Sequence, residues 1–168
     1  MAQNIHYTNS VGIVIDSIVS HMATTSAFVI SDSNTGTFVL PKLTEQSQSV
    51  RTATQIHIPA GDASKNVDTL QRVWHALSAA RASRHALIIN VGGGVVTDLG
   101  AFAAATYKRG IPCINVPTTL LGAVDAAIGG KTGINFDGYK NQVGAFYPAT
   151  DVIVSSVFFD TLPVSEKL

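Results

Sequence analysis

The chain has 168 residues, enough for one domain with a proper core, and 46% of them are hydrophobic while only 13% are charged. An ordinary globular domain carries about 25% charged residues, so either the core is compact and rich in alanine and glycine or some apolar surface is meant for a partner. Eleven basic and eleven acidic residues cancel, which speaks against an electrostatic nucleic-acid binder; one cysteine excludes an internal disulfide, and no leader or membrane-length apolar segment stands out, so a cytoplasmic protein is expected.

Short β-rich runs alternate with helical ones, the pattern of an α/β domain with a mostly parallel sheet flanked by helices. Residues 11–15 read as a first strand, followed by a short helix over 17–22. Residues 27–31 read as a second strand that ends at Asp32-Ser33-Asn34, and 55–58 as a third, closed by Pro59-Ala60-Gly61. The clearest helix spans 66–81, with Val67, Leu70, Val73, Trp74 and Leu77 on one face, which makes Trp74 a core residue. Residues 87–91 form an apolar strand of the kind buried on both faces.

Gly92-Gly93-Gly94 follows that strand and opens a helix of small residues over 95–107. Residues 111–116 are the next strand, with Pro112 near its start. Beyond Pro117 the chain turns glycine-rich and polar as far as Lys140-Asn141, a poor core and an expected binding loop. A last strand covers 151–155, and Pro163 and Ser165 suit the opening of a further helix.

A strand, three glycines and a helix present free backbone N–H groups to an anion. Glycine lets a phosphate approach closely, and the helix N-terminus adds roughly half a positive charge. One glycine would serve a plain tight turn; three in a row point to phosphate. The usual dinucleotide fingerprint is incomplete, because Thr97 stands where its third glycine belongs and no acidic residue follows at the expected distance. Asp32, at the end of the second strand, can take that ribose-binding part in a different chain order. Gly130-Lys131-Thr132 resembles the end of a P-loop, but Asp125 occupies the position of the glycine that motif needs.

Several blocks then occur in order: Gly92-Gly93-Gly94-Val95-Val96-Thr97-Asp98-Leu99, Thr106-Tyr107-Lys108-Arg109-Gly110, Val116-Pro117-Thr118-Thr119-Leu120-Leu121, Asp125, Gly129-Gly130-Lys131-Thr132-Gly133-Ile134-Asn135, and Lys140-Asn141. Together they resemble the N-terminal half of the 3-dehydroquinate synthases, from about Ser31 onward and most densely between Gly92 and Tyr147. The resemblance implies a Rossmann-like, NAD-binding N-terminal domain over residues 1–168. It implies part of a lyase of the shikimate pathway and aromatic amino acid biosynthesis, which converts 3-deoxy-D-arabino-heptulosonate 7-phosphate to 3-dehydroquinate and phosphate. The cofactors implied are a catalytic NAD and zinc or cobalt; the partners implied are the sugar-phosphate substrate, a helical C-terminal domain and a second subunit of a homodimer.

Carried over by position, the cofactor contacts are Asp32, Asn34, Asp62, Lys65, Gly93, Gly94, Asp98, Thr118, Thr119, Lys131, Lys140, Phe158 and Thr161. Asp62 replaces the family's usual glutamate. Asp98 is placed in the first helical turn, where it would otherwise be a helix-dipole partner worth ~0.3–1 kcal/mol. Lys131, Asp125 and Asn141 are the catalytic set. Lys140 and Arg109 bind substrate, the arginine from the neighbouring subunit. Taken alone, these lysines are solvated loop residues and Arg109 a helix C-terminal charge.

The family's metal ligands, one glutamate and two histidines, begin shortly after the segment matched by Thr161-Leu162-Pro163. None of His6, His21, His57, His75 and His85 is assigned to metal. The chain alone is therefore expected to be inactive and to bind NAD weakly at most. The alternatives are another sugar-phosphate cyclase, a more distant metal-dependent polyol dehydrogenase, and a non-catalytic nucleotide-binding module.

Overall fold

The computed structural model describes residues 2–161; the helix opening expected at Pro163 and Ser165 lies outside them. Along the chain come β1 (Asn4–Tyr7), α1 (Val11–Ser20), β2 (Ser26–Asp32), the short helices α2 (Ser33–Phe38), α3 (Leu40–Gln46) and α4 (Gln48–Thr52), and β3 (Thr54–Ile58). Then follow α5 (Val67–Ala79), β4 (Ala86–Gly92), α6 (Gly94–Thr106), β5 (Cys113–Pro117), β6 (Lys131–Phe136), β7 (Tyr139–Phe146) and β8 (Asp151–Val154).

Six strands form one parallel sheet in the order β3–β2–β4–β5–β8–β1, so the expected α/β architecture holds. Alternate residues feed two cores. Phe28, Ile30 and Ile88 pack under α5 and α6, while Val29, Leu87, Ile89 and Val91 pack under α1 and α3. Burial on both faces is why the central strands read as continuous apolar runs. Chain order reverses between β2 and β4, and at such a switch point the carboxyl ends of the strands open a crevice. Asp32 closes β2 there, and Gly92 closes β4.

Two expectations fail. Residues 11–15 lie in α1, not in a strand. Their β-branched run hides a longer pattern, in which Val11, Ile15, Ile18 and Met22 recur at helical spacing on the face that meets the second core. Gly12 lets this helix press so close that a Cβ would stand 2.6 Å from the Gln46 carbonyl oxygen. The glycine-rich stretch after Pro117 is also more than a loop. It contains a π-helical turn, Gly122–Ala126, and the antiparallel β6–β7 hairpin, in which Thr132, Gly133 and Ile134 are buried. Gly133 and Gly144 pair across the hairpin, where a side chain on Gly144 would overlap the Thr132 carbonyl.

No helix among the described residues is long and apolar enough to cross a membrane. Burial pushes the Cys113 thiol up to about 12, so it packs as a small apolar group.

Beneath helix α6 an amide ladder ties β4 to β5 and to the turn at Ala127. Asn90 Nδ2 donates to Asn115 Oδ1 at 2.9 Å, and Asn115 Nδ2 donates to the Ala127 carbonyl at 3.2 Å. Gly100 faces this ladder, and a Cβ there would collide with the Asn90 amide. Gly100→Ala is therefore expected to cost about 1–3 kcal/mol of folding stability, measured by urea unfolding. An unchanged midpoint would mean that α6 can lift from the sheet freely.

Candidate functional site

The crevice begins at the glycine turn. Gly93 is the N-cap of α6, and among the described residues no side chain caps the first N–H groups of the helix. Thr119 packs against it: a Cβ on Gly93 would stand 3.0 Å from Thr119 Cγ2. Thr118 is buried at the end of β5 and donates its N–H to the Gly92 carbonyl at 2.9 Å. Thr97, in place of a third glycine, turns its hydroxyl back to the Gly93 carbonyl at 3.2 Å.

Asp32 caps α2. Its Oδ1 accepts the N–H groups of Asn34 and Thr35 at 2.9 and 2.8 Å and the Thr35 hydroxyl at 3.1 Å. Among the described residues none bonds Oδ2. The Thr35 hydroxyl also lies 3.0 Å from the Val91 carbonyl, holding the start of α2 beside the end of β4.

Next to the turn lies a cleft of about 440 Å³, lined among others by Asp98, Asp125, Lys131, Thr132, Asn141 and Phe146. Behind it sits Lys65, only 5% exposed. Its ammonium donates to Asp98 Oδ2 at 3.0 Å and to Asn141 Oδ1 at 2.6 Å. Burial pushes the Asp98 carboxyl above its ordinary range; Lys65 pulls it back without cancelling the shift, and the Asp125 charge across the cleft adds to it. Asp62, in a 3₁₀ turn over Asp62–Ser64, accepts a hydrogen bond from Asn135 Nδ2 at 3.1 Å and stands 3.6 Å from Lys140 Nζ. Three chain segments thus converge on one charged wall: the turn after β3, helix α6 and the hairpin.

A sequence model of the family described as 3-dehydroquinate synthase N-terminal matches residues 55–168. This chain belongs to the 3-dehydroquinate synthase family. A 3-dehydroquinate synthase of Parabacteroides distasonis is 49% identical over 135 residues, which is 80% of this chain and 38% of that protein. One from Pseudomonas fluorescens is 42% identical over 149 residues, 89% of this chain and 40% of that protein. The chain therefore spans about two fifths of the length of these curated relatives.

Among solved structures, 2-deoxy-scyllo-inosose synthase with carbaglucose-6-phosphate, NAD+ and Co2+ superimposes with a TM-score of 0.87 at 26% identity, covering 98% of this chain and 45% of the other. The 2-epi-5-epi-valiolone synthase of Streptomyces hygroscopicus subsp. jinggangensis, with NAD+ and Zn2+, gives 0.87 at 27% identity over 99% and 46%.

Against the site that the family resemblance implies, Asp62, Lys65, Asp98, Asp125, Lys131, Lys140 and Asn141 lie on or beside the cleft. Gly93, Gly94, Thr118 and Thr119 border it, and Asp32 and Asn34 stand at the neighbouring strand end. Asp98 is not in the first helical turn: α6 starts at Gly94, which leaves Asp98 a turn further in, and its partner is Lys65 rather than the helix dipole. Phe158 packs against the α1 and α3 core, in the 3₁₀ turn Ser156–Thr161 that carries Thr161. Arg109 is not brought to the cleft. It lies just beyond the far end of α6, exposed and in left-handed backbone at φ 63°.

Among the histidines, His6 pairs with Asp151 at 2.8 Å and His57 with the Ser31 hydroxyl at 2.8 Å. No group of three or more His, Cys, Asp or Glu among the described residues is placed to hold a metal.

Folded Asp98 holds its proton more tightly than the unfolded chain does. Its contribution therefore favours folding at low pH and is lost as pH rises above the ordinary carboxylate range. Asp98→Asn should flatten this part of the stability curve, measured by unfolding between about pH 4 and 7. A wild-type slope in the variant would show that Asp98 does not titrate differently in the fold.

Proposed function

We propose that the chain is the cofactor-holding part of a 3-dehydroquinate synthase. The whole enzyme would convert 3-deoxy-D-arabino-heptulosonate 7-phosphate to 3-dehydroquinate and phosphate. The observation that carries this reading is the buried Lys65 ammonium, fixed between Asp98 and Asn141 on the wall of a cleft beside an uncapped glycine turn. The curated dehydroquinate synthases at 42–49% identity support this activity over those of the two solved synthases, at 26–27%.

The residues fit NAD. Gly93 and Gly94 offer side-chain-free backbone, and a helix start that no side chain caps among the described residues, to a pyrophosphate. Asp32 keeps Oδ2 for a ribose hydroxyl, with Asn34 beside it, and Thr118 and Thr119 flank the turn. Asp62, Phe158 and Thr161 complete the cofactor contacts in this reading. When bound, NAD supplies a reversible hydride acceptor.

The chain's own groups do the rest by charge and position. Lys131, at the mouth of the cleft, and Lys140, on the hairpin, offer positive charge to a substrate that carries a carboxylate and a phosphate. Lys65, itself held by Asn141, holds Asp98, while Asp125 sets a second carboxylate across the cleft. Arg109, remote from its own cleft, is assigned to that of a second subunit in a homodimer. A divalent metal has no set of ligands among the described residues and is left to the remaining length of the enzyme.

In an enzyme carrying both halves, Lys131→Ala is expected to lower kcat about 100-fold or more, while the NAD dissociation constant rises by much less because the glycine turn is untouched. Unchanged turnover would remove Lys131 from the chemistry. NAD titrated calorimetrically into the 168-residue chain should bind, more tightly once the other half is added; no binding with both halves present would sink the cofactor assignment.

A further inference from the structure

Asn135 occupies an unusual place in the hairpin. The ladder pairs Ile134 with Val143 and Phe136 with Tyr139, so residues 140–142 of β7 stand opposite Asn135 alone. A bulge of this kind strips backbone groups of their ladder partners and re-aims the side chains it carries. Here it carries Lys140 and Asn141, and Asn141 takes left-handed backbone at φ 52°.

Every polar group on the inner side of Asn135 is used to hold the bulge and the neighbouring turn. Its Oδ1 accepts the Asn141 N–H at 3.0 Å, replacing the ladder bond that the bulge removes. Its Nδ2 donates to the Asp62 carbonyl at 3.2 Å and to Asp62 Oδ2 at 3.1 Å. Its own N–H donates to the Lys65 carbonyl at 2.9 Å. One residue therefore touches the backbone or side chain of Asp62, Lys65 and Asn141.

We propose that Asn135 is a positioning residue: it clasps the bulged hairpin to the Asp62–Lys65 turn and so sets the Lys65 ammonium between Asp98 and the Asn141 amide. Asparagine suits the place because it offers a donor and an acceptor from one short side chain. Aspartate, nearly identical in shape, would turn the donor end into a carboxylate facing the Asp62 carboxylate. Alanine would release both ends. The functional consequence rests on the nucleotide reading of the cleft; the clasp does not.

The test uses the 168-residue chain with the substitutions Asn135→Ala, Asn135→Asp, Asp62→Asn and the double variant Asn135→Asp with Asp62→Asn. The NAD dissociation constant and amide exchange at Asn141 are measured for each. Asn135→Asp should weaken NAD binding by about 3- to 10-fold, the change that one hydrogen bond of ordinary net strength supplies. In the Asp62→Asn background the same change should cost clearly less, because the amide introduced at position 62 can donate to the new carboxylate, although the main-chain carbonyl there still opposes it. Asn135→Ala should weaken NAD binding and also speed Asn141 exchange about 3- to 10-fold.

Leu77→Ala, which opens a cavity near the end of α5 remote from the Lys65 turn, serves as the control. If it weakens NAD binding as much as Asn135→Asp at equal loss of stability, Asn135 is merely structural and the proposal fails. It also fails if NAD binding survives both Asn135 variants, or if Asp62→Asn gives no relief. If the wild-type chain and its partner half bind no NAD, the nucleotide reading falls instead. The clasp is then judged by Asn141 exchange alone, and an unchanged rate in Asn135→Ala overturns it.

Discussion

A buried ammonium must be paired, and the geometry of this site follows from that constraint. Lys65 is nearly inaccessible, and its nitrogen is held by a carboxylate from α6 and an amide from the hairpin. Leaving a buried charge unpartnered is among the costlier things a fold can do. The turn after β3, the middle of α6 and the bulge of β7 are thereby obliged to meet at one point. The cleft in front of that point inherits its shape from this agreement, and its charges are fixed before any ligand enters.

The sheet supplies what the ammonium cannot. Parallel strands deliver their carboxyl ends to one edge, so Asp32, Gly92 and Thr118 arrive side by side although they are far apart in sequence. The hairpin lies outside the sheet, antiparallel and rich in glycine, and it gathers the polar residues after Pro117 into a defined surface. Rigid backbone edges hold one side of the crevice and paired side chains hold the other.

Much of this was legible in the residues. The apolar runs over 27–31 and 87–91 are strands because burial on both faces selects such runs, 55–58 is an edge strand in which buried Ile56 and Ile58 alternate with exposed residues, and the 66–81 pattern is a helix because its apolar residues share a face. Residues 11–15 misled because five residues are too few to separate period two from period 3.6 when nearly all are apolar; the stripe shows only when Ile18 and Met22 are included. The hairpin carries a local signal of its own. Asp137 and Gly138 both take positive φ, at 53° and 79°, between the paired Phe136 and Tyr139. Asp-Gly is the dipeptide that such a two-residue turn favours. The site was legible as a set of residues through family resemblance, but not the bond from Asn141 to Lys65 or the part played by Asn135, since no local spacing encodes a meeting of distant segments.

The outermost pair of the sheet has a temporal side. Among the described residues β1 pairs only with β8, and Asn4 lies opposite Asp151. A ribosome delivers the first partner long before the second, and contacts of such sequence separation close late and slowly. Until then the first strand has no seat, and the β5 edge that β8 will cover stands open as a strip of unpaired peptide groups. Strands β2, β3 and β4 lie closer together in sequence and can pair as they emerge, so the sheet grows from that side and the pairing of β1 is among the last to form.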